Sequence, residues 1–92
     1  MSVTLRVPTI LRGLSGEAAE VPVEGAATLA ELLDKVEAEH PGIRARVLDD
    51  DSKLRRFVNV YVGEDDVRFA GGLETPTPDG VTVSIIPAVA GG

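Results

Sequence analysis

The segment from residue 28 to residue 42 constrains the fold most, because it carries the clearest helical pattern in the chain. Thr28, followed three positions later by Glu31, is typical of a capping box, in which both side chains accept hydrogen bonds from backbone N–H groups at the helix start. The tripeptide His40-Pro41-Gly42 predicts the helix end, because proline disfavours helical geometry in the residue before it. Four apolar residues recur between these signals at helical spacing and predict one buried stripe: Leu29, Leu32, Leu33 and Val36.

Short strands are predicted on both sides of this helix. Val3, Leu5 and Val7 alternate with polar residues, as in a strand with one face on a core. A second strand over 17–23 can pair with the first as a hairpin across a turn-rich connection. After the helix, the pattern predicts a short helix or turn over 43–48, an exposed loop over 49–52, strands over 57–62, 67–69 and 81–86, a turn over 63–66 and a turn-rich crossover over 71–80.

The order of these elements predicts a two-layer α+β domain. One main helix would cover one face of a mixed sheet of four to five strands. The β-grasp, or ubiquitin-like fold, has this order of elements. We expect residues 1–86 to form a β-grasp domain and residues 87–92 to form a flexible C-terminal tail that ends in Gly-Gly.

Composition excludes several classes of function. Fifteen acidic and nine basic residues give a formal charge of −6, which disfavours binding to nucleic acid or to anionic membranes. The chain has no cysteine for a disulfide, a thiolate metal site or an iron–sulfur cluster, so a β-grasp electron carrier is excluded. Neither a signal peptide nor an apolar run of about 20 residues is visible, and we expect a cytoplasmic protein.

The body of the chain shows no catalytic constellation. The single histidine, His40, has no cysteine or serine motif to pair with, and a structural role at the helix end is expected for it. The carboxylates at 49–51 and 64–66 lack the spacing of a calcium-binding loop and are typical of solvated turns. We therefore expect no catalytic residue, no metal and no bound cofactor, and a protein that is not itself an enzyme.

The C-terminal tail is the exception. Pro87 and Val89 follow a predicted core strand, and Ala90, Gly91 and Gly92 complete an uncharged, slender tail. Residues without a Cβ let a backbone enter a narrow channel and approach a bound nucleotide closely. A frayed terminus would favour polar residues or a Gly/Ser mixture instead. The tail thus predicts a terminal carboxylate on which another enzyme acts.

Several segments resemble the ThiS/MoaD family of ubiquitin-like sulfur carriers. The ending over 86–92, which follows an aliphatic strand and an Asp79-Gly80 turn, resembles the family as a whole. Internal segments are similar to the actinobacterial branch that serves cysteine biosynthesis: 8–12, 56–62, 65–69 and 71–73. The resemblance covers nearly the whole chain and is weakest at 13–27 and 43–54.

This resemblance implies that Gly92 is a substrate. An E1-like enzyme would use ATP to adenylate the Gly92 carboxylate, and a sulfur donor would then convert it to a thiocarboxylate. In the cysteine-biosynthesis branch, this sulfur would pass to a pyridoxal-phosphate cysteine synthase, and a JAMM-type zinc metallopeptidase would release the product. The residues of the tail that partners would recognise are Gly91, Ala90, Val89 and Pro87.

Partner surfaces outside the tail follow less directly from the sequence. Ubiquitin-like proteins usually present a sheet face near the last strand, and Phe57, Phe69 and Ile86 are candidates for it; the alternative is that they are ordinary core residues. The net negative charge would steer the chain toward basic partners. Two other functions stay open: the small subunit of molybdopterin synthase, and a protein modifier that forms isopeptide bonds.

Overall fold

In a computed structural model, which describes residues 2–55 and 58–87, five strands form one mixed sheet. Alternating apolar residues of the strands face the helical layer, as the sequence predicts. The strands are β1 (Ser2–Arg6), β2 (Glu20–Glu24), β3 (Val58–Val62), β4 (Asp65–Asp66) and β5 (Thr82–Pro87).

The strands lie in the order β2-β1-β5-β3-β4. β1 and β5 are parallel neighbours at the centre, whereas the other three pairs are antiparallel. A parallel pair needs a long crossover, and the helices supply part of it. This arrangement confirms the β-grasp prediction, with five strands rather than four.

The main helix, α1 (Leu29–Glu39), begins and ends where the sequence predicts. The backbone N–H of Glu31 donates to Thr28 Oγ1 at 3.3 Å. The Glu31 carboxylate accepts from the N–H of Ala27, one residue before the expected partner, at 3.0 Å. The apolar stripe is buried as predicted: Leu29, Leu32, Leu33 and Val36.

Residues Ile43–Val47 form a second helix, α2. Of the two alternatives predicted for residues 43–48, a short helix or a turn, the helix is therefore correct. Gly42 precedes it with a φ of 106°, a conformation that glycine adopts readily. The Glu37 carboxylate accepts hydrogen bonds from the N–H groups of Gly42 and Arg44, at 3.1 and 3.0 Å. These bonds supply the acceptors that a helix start requires, and they tie α2 to α1.

Residues Val67–Phe69 form a 3₁₀ helix, so the prediction of a strand there is wrong. Asp66 Oδ1 accepts from the N–H of Arg68 at 2.9 Å, a local side-chain cap that competes with strand pairing. Asp65 and Asp66, which we expected in a turn, form β4 against β3. Two further 3₁₀ helices, Thr9–Leu14 and Gly72–Glu74, lie within the connections predicted as turn-rich.

The bounds of β2 and β5 differ from the sequence predictions of 17–23 and 81–86. β2 begins at Glu20 rather than at residue 17, and Glu17 has a φ of 71°, which a strand cannot contain. β5 ends at Pro87, which pairs with Val58, so the sheet includes one residue of the segment that we expected to be tail.

The core between the sheet and the helices is aliphatic throughout the described residues. Leu5, Leu29 and Leu32 are completely buried within it. The buried hydroxyls of Thr75 and Thr77 donate to backbone carbonyl oxygens, so their burial leaves no hydrogen bond unmade. Within residues 2–55 and 58–87, no helix has the length and apolar character that a membrane crossing requires.

Candidate functional site

The candidate site is the end of β5, where the chain leaves the sheet. Ile86 pairs with Asn59, and Pro87 pairs with Val58 as the last residue of the strand. Gly92, Gly91, Ala90 and Val89 lie outside the described residues, so their role stays a prediction. β5 is the central strand of the sheet, and its last residues extend beyond the end of β1 and pair with β3 alone.

A row of polar side chains crosses the full width of the solvent-exposed face of the sheet. One row of paired residues crosses all five strands and consists of Glu20, Arg6, Ser84, Tyr61 and Asp66. Arg6 Nη2 lies 3.7 Å from Glu20 Oε2 in an exposed ion pair. The row shows that side chains distant in sequence converge next to the end of β5.

A groove of about 340 Å³ lies between β1, the Thr9–Leu14 helix and β5. Arg12 contributes to one wall, and its Nε donates to the backbone carbonyl of Val7 at 3.1 Å. This bond holds the guanidinium group close to the backbone at the end of β1. The other main lining residues are Arg6, Pro8, Thr9, Ser84 and Ile86.

The predicted partner-surface residues Phe69 and Ile86 are both exposed. Phe69 is 89% exposed and Ile86 is 47% exposed, so the alternative that they are core residues is wrong for both. Phe57, the third candidate, lies outside the described residues. The structure adds Ile10, which is 67% exposed. The sequence does not single out Ile10, because Ile10 and Leu11 are adjacent and equally hydrophobic. Their positions in the 3₁₀ helix determine that Leu11 is the buried one.

Arg68 holds the turn that carries Phe69 against the start of β3. Its Nη1 donates to Asn59 Oδ1 at 2.5 Å, and its Nη2 donates to the carbonyl oxygen of Val58 at 2.8 Å and to that of Arg55. Asn59 is also the strand partner of Ile86. The exposed aromatic ring therefore stands on a turn that is fixed to the sheet beside the end of β5.

The remaining polar candidates lie away from this end of β5. His40 is the C-cap of α1, and its backbone N–H donates to the carbonyl of Val36 at 2.7 Å; the structural role predicted for its side chain stays a prediction. The pKa of Asp49 is lowered because its carboxylate accepts from the N–H groups of Lys53 and Asp51. Within the part of the chain that the structure describes, no three His, Cys, Asp or Glu side chains are grouped to hold a metal ion.

Comparison with known proteins gives matches over nearly the whole chain. The ThiS family pattern matches residues 5–92. The sulfur carrier protein CysO of Mycobacterium tuberculosis is 49% identical over 94 aligned residues, which cover 100% of both chains. Small archaeal modifier protein 3 of Haloferax volcanii is 36% identical over 70 residues, covering 76% of this chain and 75% of that protein.

Solved structures give the same result for the fold. A chain in the crystal structure of the Amycolatopsis orientalis BexX/CysO complex superimposes with a TM-score of 0.90 at 51% identity. The superposition covers 98% of this chain and 99% of that one. Because the superposition covers nearly the whole of both chains, the two proteins share the same fold.

Proposed function

This chain belongs to the ThiS family, and on that premise we propose that it is a sulfur carrier protein whose sulfur is held at the C-terminal carboxylate of Gly92. The observation that supports this most is the family match, which reaches the last residue of the chain. The full-length identity to the CysO sulfur carrier protein supports the same function.

The proposed chemistry takes place in two steps on an E1-like enzyme. In the first step, a Gly92 carboxylate oxygen attacks the α-phosphate of ATP and pyrophosphate leaves, which produces an acyl adenylate. In the second step, the sulfur of hydrosulfide attacks the acyl carbon and AMP leaves with one of the carboxylate oxygens. The product is a thiocarboxylate. ATP is a substrate of the activating enzyme, and the carrier itself needs no cofactor.

The shape of the tail suits this role. Pro87, the last described residue, pairs with Val58, and five residues follow it in the sequence. When extended, five residues span at most about 18 Å. This length would place Gly92 inside a deep active site while the body of the carrier stays outside. Gly91 and Gly92, which have no Cβ, would pass the narrowest part of that channel.

We further propose that the sulfur is used for cysteine biosynthesis. The Gly92 thiocarboxylate would attack an aminoacrylate on a pyridoxal-phosphate cysteine synthase. An acyl shift from sulfur to nitrogen would then leave a cysteine in peptide linkage to Gly92. Hydrolysis by a JAMM-type zinc metallopeptidase would release cysteine and restore the carboxylate. The Amycolatopsis orientalis structure is that of a BexX/CysO complex, and we propose that this chain likewise binds a partner protein.

Intact mass spectrometry tests the carrier function directly. The purified chain is incubated with ATP, sulfide and lysate of the native host, and its mass is followed over time. Exchange of one oxygen for one sulfur, located at Gly92 by fragmentation, is the expected result. Omission of ATP is the control, because adenylation must come first.

The same experiment examines a second function, that of a protein modifier. The 36% identity to small archaeal modifier protein 3 is the observation in its favour. A modifier would become attached to lysines of other proteins, and digestion would leave Gly-Gly remnants on them. Such remnants without any thiocarboxylate would contradict the sulfur-carrier proposal. Stable copurification with a large partner would instead favour the molybdopterin synthase subunit.

A further inference from the structure

The groove between β1, the Thr9–Leu14 helix and β5 has the opposite charge from the chain as a whole. The formal net charge is −6, yet the described residues that line the groove include Arg6 and Arg12 and no aspartate or glutamate. Three other grooves on the described surface each contain at least two carboxylates. The positive charge is therefore a local property of the groove beside the end of β5.

The guanidinium groups of Arg6 and Arg12 can both bind a carboxylate of a partner. Arg12 uses Nε to donate to the Val7 carbonyl, and within residues 2–55 and 58–87 its guanidinium forms no ion pair with a carboxylate. Arg6 has Glu20 at 3.7 Å, but the two side chains are 62% and 56% exposed, and an exposed pair at this distance holds weakly. An incoming carboxylate can displace Glu20 at little cost.

The groove also has apolar and hydroxyl components. Pro8 and Ile86 supply aliphatic surface, and Thr9 and Ser84 supply hydroxyl groups. Arginine binds a carboxylate through two parallel N–H groups when its guanidinium group is held in position. A polyanion such as nucleic acid would be repelled by the overall charge of −6. The combination fits an acidic side chain that has an aliphatic residue beside it.

We propose that this groove is the docking site for an Asp or Glu side chain, adjacent to an aliphatic residue, on the protein that receives the tail. The identity of that protein as a tail-processing enzyme rests on the proposed function, but the chemistry of the groove does not. The net charge alone predicts basic partners. At the place where the tail leaves the sheet, the arginines reverse this preference and require an acidic partner surface.

A peptide titration tests the groove without any reference to sulfur chemistry. The ¹⁵N-labelled chain is titrated with acetyl-Leu-Asp-Glu-Leu-amide, with acetyl-Leu-Asn-Gln-Leu-amide as the neutral control. The largest shift changes are expected in residues 6–12 and 84–86, with the acidic peptide only, and they should vanish in the Arg6→Gln, Arg12→Gln double variant. Equal changes with the neutral peptide, or changes confined to other residues, would overturn the proposal.

The thiolation rate supplies a second readout in the complete system. With limiting carrier at low salt, Arg12→Glu should slow formation of the Gly92 thiocarboxylate by about tenfold, and added salt should reduce the difference. Arg46→Glu is the matched control, because Arg46 is exposed on α2 and outside the groove. Arg12→Lys, which keeps the charge, should retain most of the rate. Equal rates for Arg12→Glu and Arg46→Glu contradict the docking site.

The two experiments separate failure of this proposal from failure of the proposed function. If the wild-type chain is never thiolated but the acidic peptide binds in the groove, the sulfur-carrier function fails and the docking site stands. If the wild-type chain is thiolated while the peptide binds elsewhere and Arg12→Glu has no effect, the docking site fails and the carrier function stands.

Discussion

The two faces of the central β1–β5 pair differ in chemistry, although alternate residues of the same strands build them. On one face Leu5, Val83 and Ile85 are at most 3% exposed and belong to the core. On the other face Arg6, Ser84 and Ile86 line the groove beside the end of β5. Residues that are adjacent in sequence thus have different tasks, because side chains in a strand point alternately to opposite faces. The buried face stabilises the domain, whereas the exposed face is available to partners.

The largest effect is expected from changes at the C-terminal tail. Adding one alanine after Gly92, or Gly91→Val, should abolish thiolation in the mass experiment, because the terminal carboxylate is displaced or a side chain blocks the channel. The urea midpoint should stay unchanged. Gly13→Val is the control: a Cβ at Gly13 meets nothing within 4 Å, so this variant should fold and be thiolated. Full thiolation of Gly91→Val would show that the tail does not enter a narrow channel.

Neighbouring isoleucines of β5 give the sharpest test of the two faces. Ile85→Ala should lower the free energy of unfolding by about 2–5 kcal/mol, because it removes a side chain that is 97% buried and leaves a cavity. Ile86→Ala, at 47% exposure, should cost less than about 1 kcal/mol but slow thiolation. Urea denaturation followed by circular dichroism measures both. Equal destabilisation by the two variants would contradict the assignment of Ile85 to the buried face and Ile86 to the exposed face.

Phe69 tests whether exposed apolar surface outside the sheet face also serves recognition. Because it is 89% exposed on a turn that Arg68 fixes to β3, Phe69→Ala should leave the thermal midpoint nearly unchanged. The carrier concentration that half-saturates thiolation should rise by about tenfold if the ring is a binding anchor. Phe69→Leu should show a smaller rise. An unchanged half-saturation value for Phe69→Ala would remove this ring from the partner surface.

The N-terminal cap of α1 should affect the stability of the domain but not its recognition by partner proteins. Thr28→Ala removes the acceptor for the Glu31 N–H and should cost about 1 kcal/mol of unfolding free energy. Thr28→Ser keeps the hydroxyl and should recover most of this loss. At a temperature where both variants are folded, their thiolation rates should equal that of the wild type. A reduced rate in the folded Thr28→Ala variant would connect the helix to the docking surface.

The smallest effect is expected at Asp49, in the acidic loop after α2. Its pKa is lowered by the hydrogen bonds from Lys53 and Asp51, so its ionised form is stabilised in the folded state. Its contribution is therefore present above the unfolded pKa of about 4 and is lost as the pH falls through the lower folded value. Asp49→Asn should reduce the thermal midpoint slightly at pH 7, by less than Thr28→Ala does. This difference should shrink as the pH is lowered toward 3, and a constant difference would contradict the assignment.

Local sequence signals predicted the elements whose determinants lie within one segment. The capping residues and the apolar stripe gave α1 correctly, and alternation gave β1 and the core of β5. The errors lie where tertiary contacts or side-chain caps compete with propensity. Val67–Phe69 has the composition of a strand, but the Asp66 cap and the bonds from Arg68 to β3 hold it as a 3₁₀ helix.

For the candidate site, too, some features could be predicted from the sequence and others could not. The tail was visible in the sequence because its terminal glycines are a local signal, and family membership followed from segments spread over the chain. The positive charge of the groove beside the end of β5 could not be predicted from the sequence. The net charge is a sum over all residues, whereas the described lining of the groove contains Arg6 and Arg12 and no carboxylate.

By itself, the sequence determined the helix, the alternating strands and the fold class, and it predicts the chemistry at Gly92. Only the tertiary structure decided which side chains share a surface. Ser84 stands between Arg6 and Tyr61 because β5 pairs with β1 and β3, and no local pattern encodes that juxtaposition. The physical reason is that propensity and capping act over a few neighbouring residues, whereas strand register is set by burial of the core face over the whole sheet.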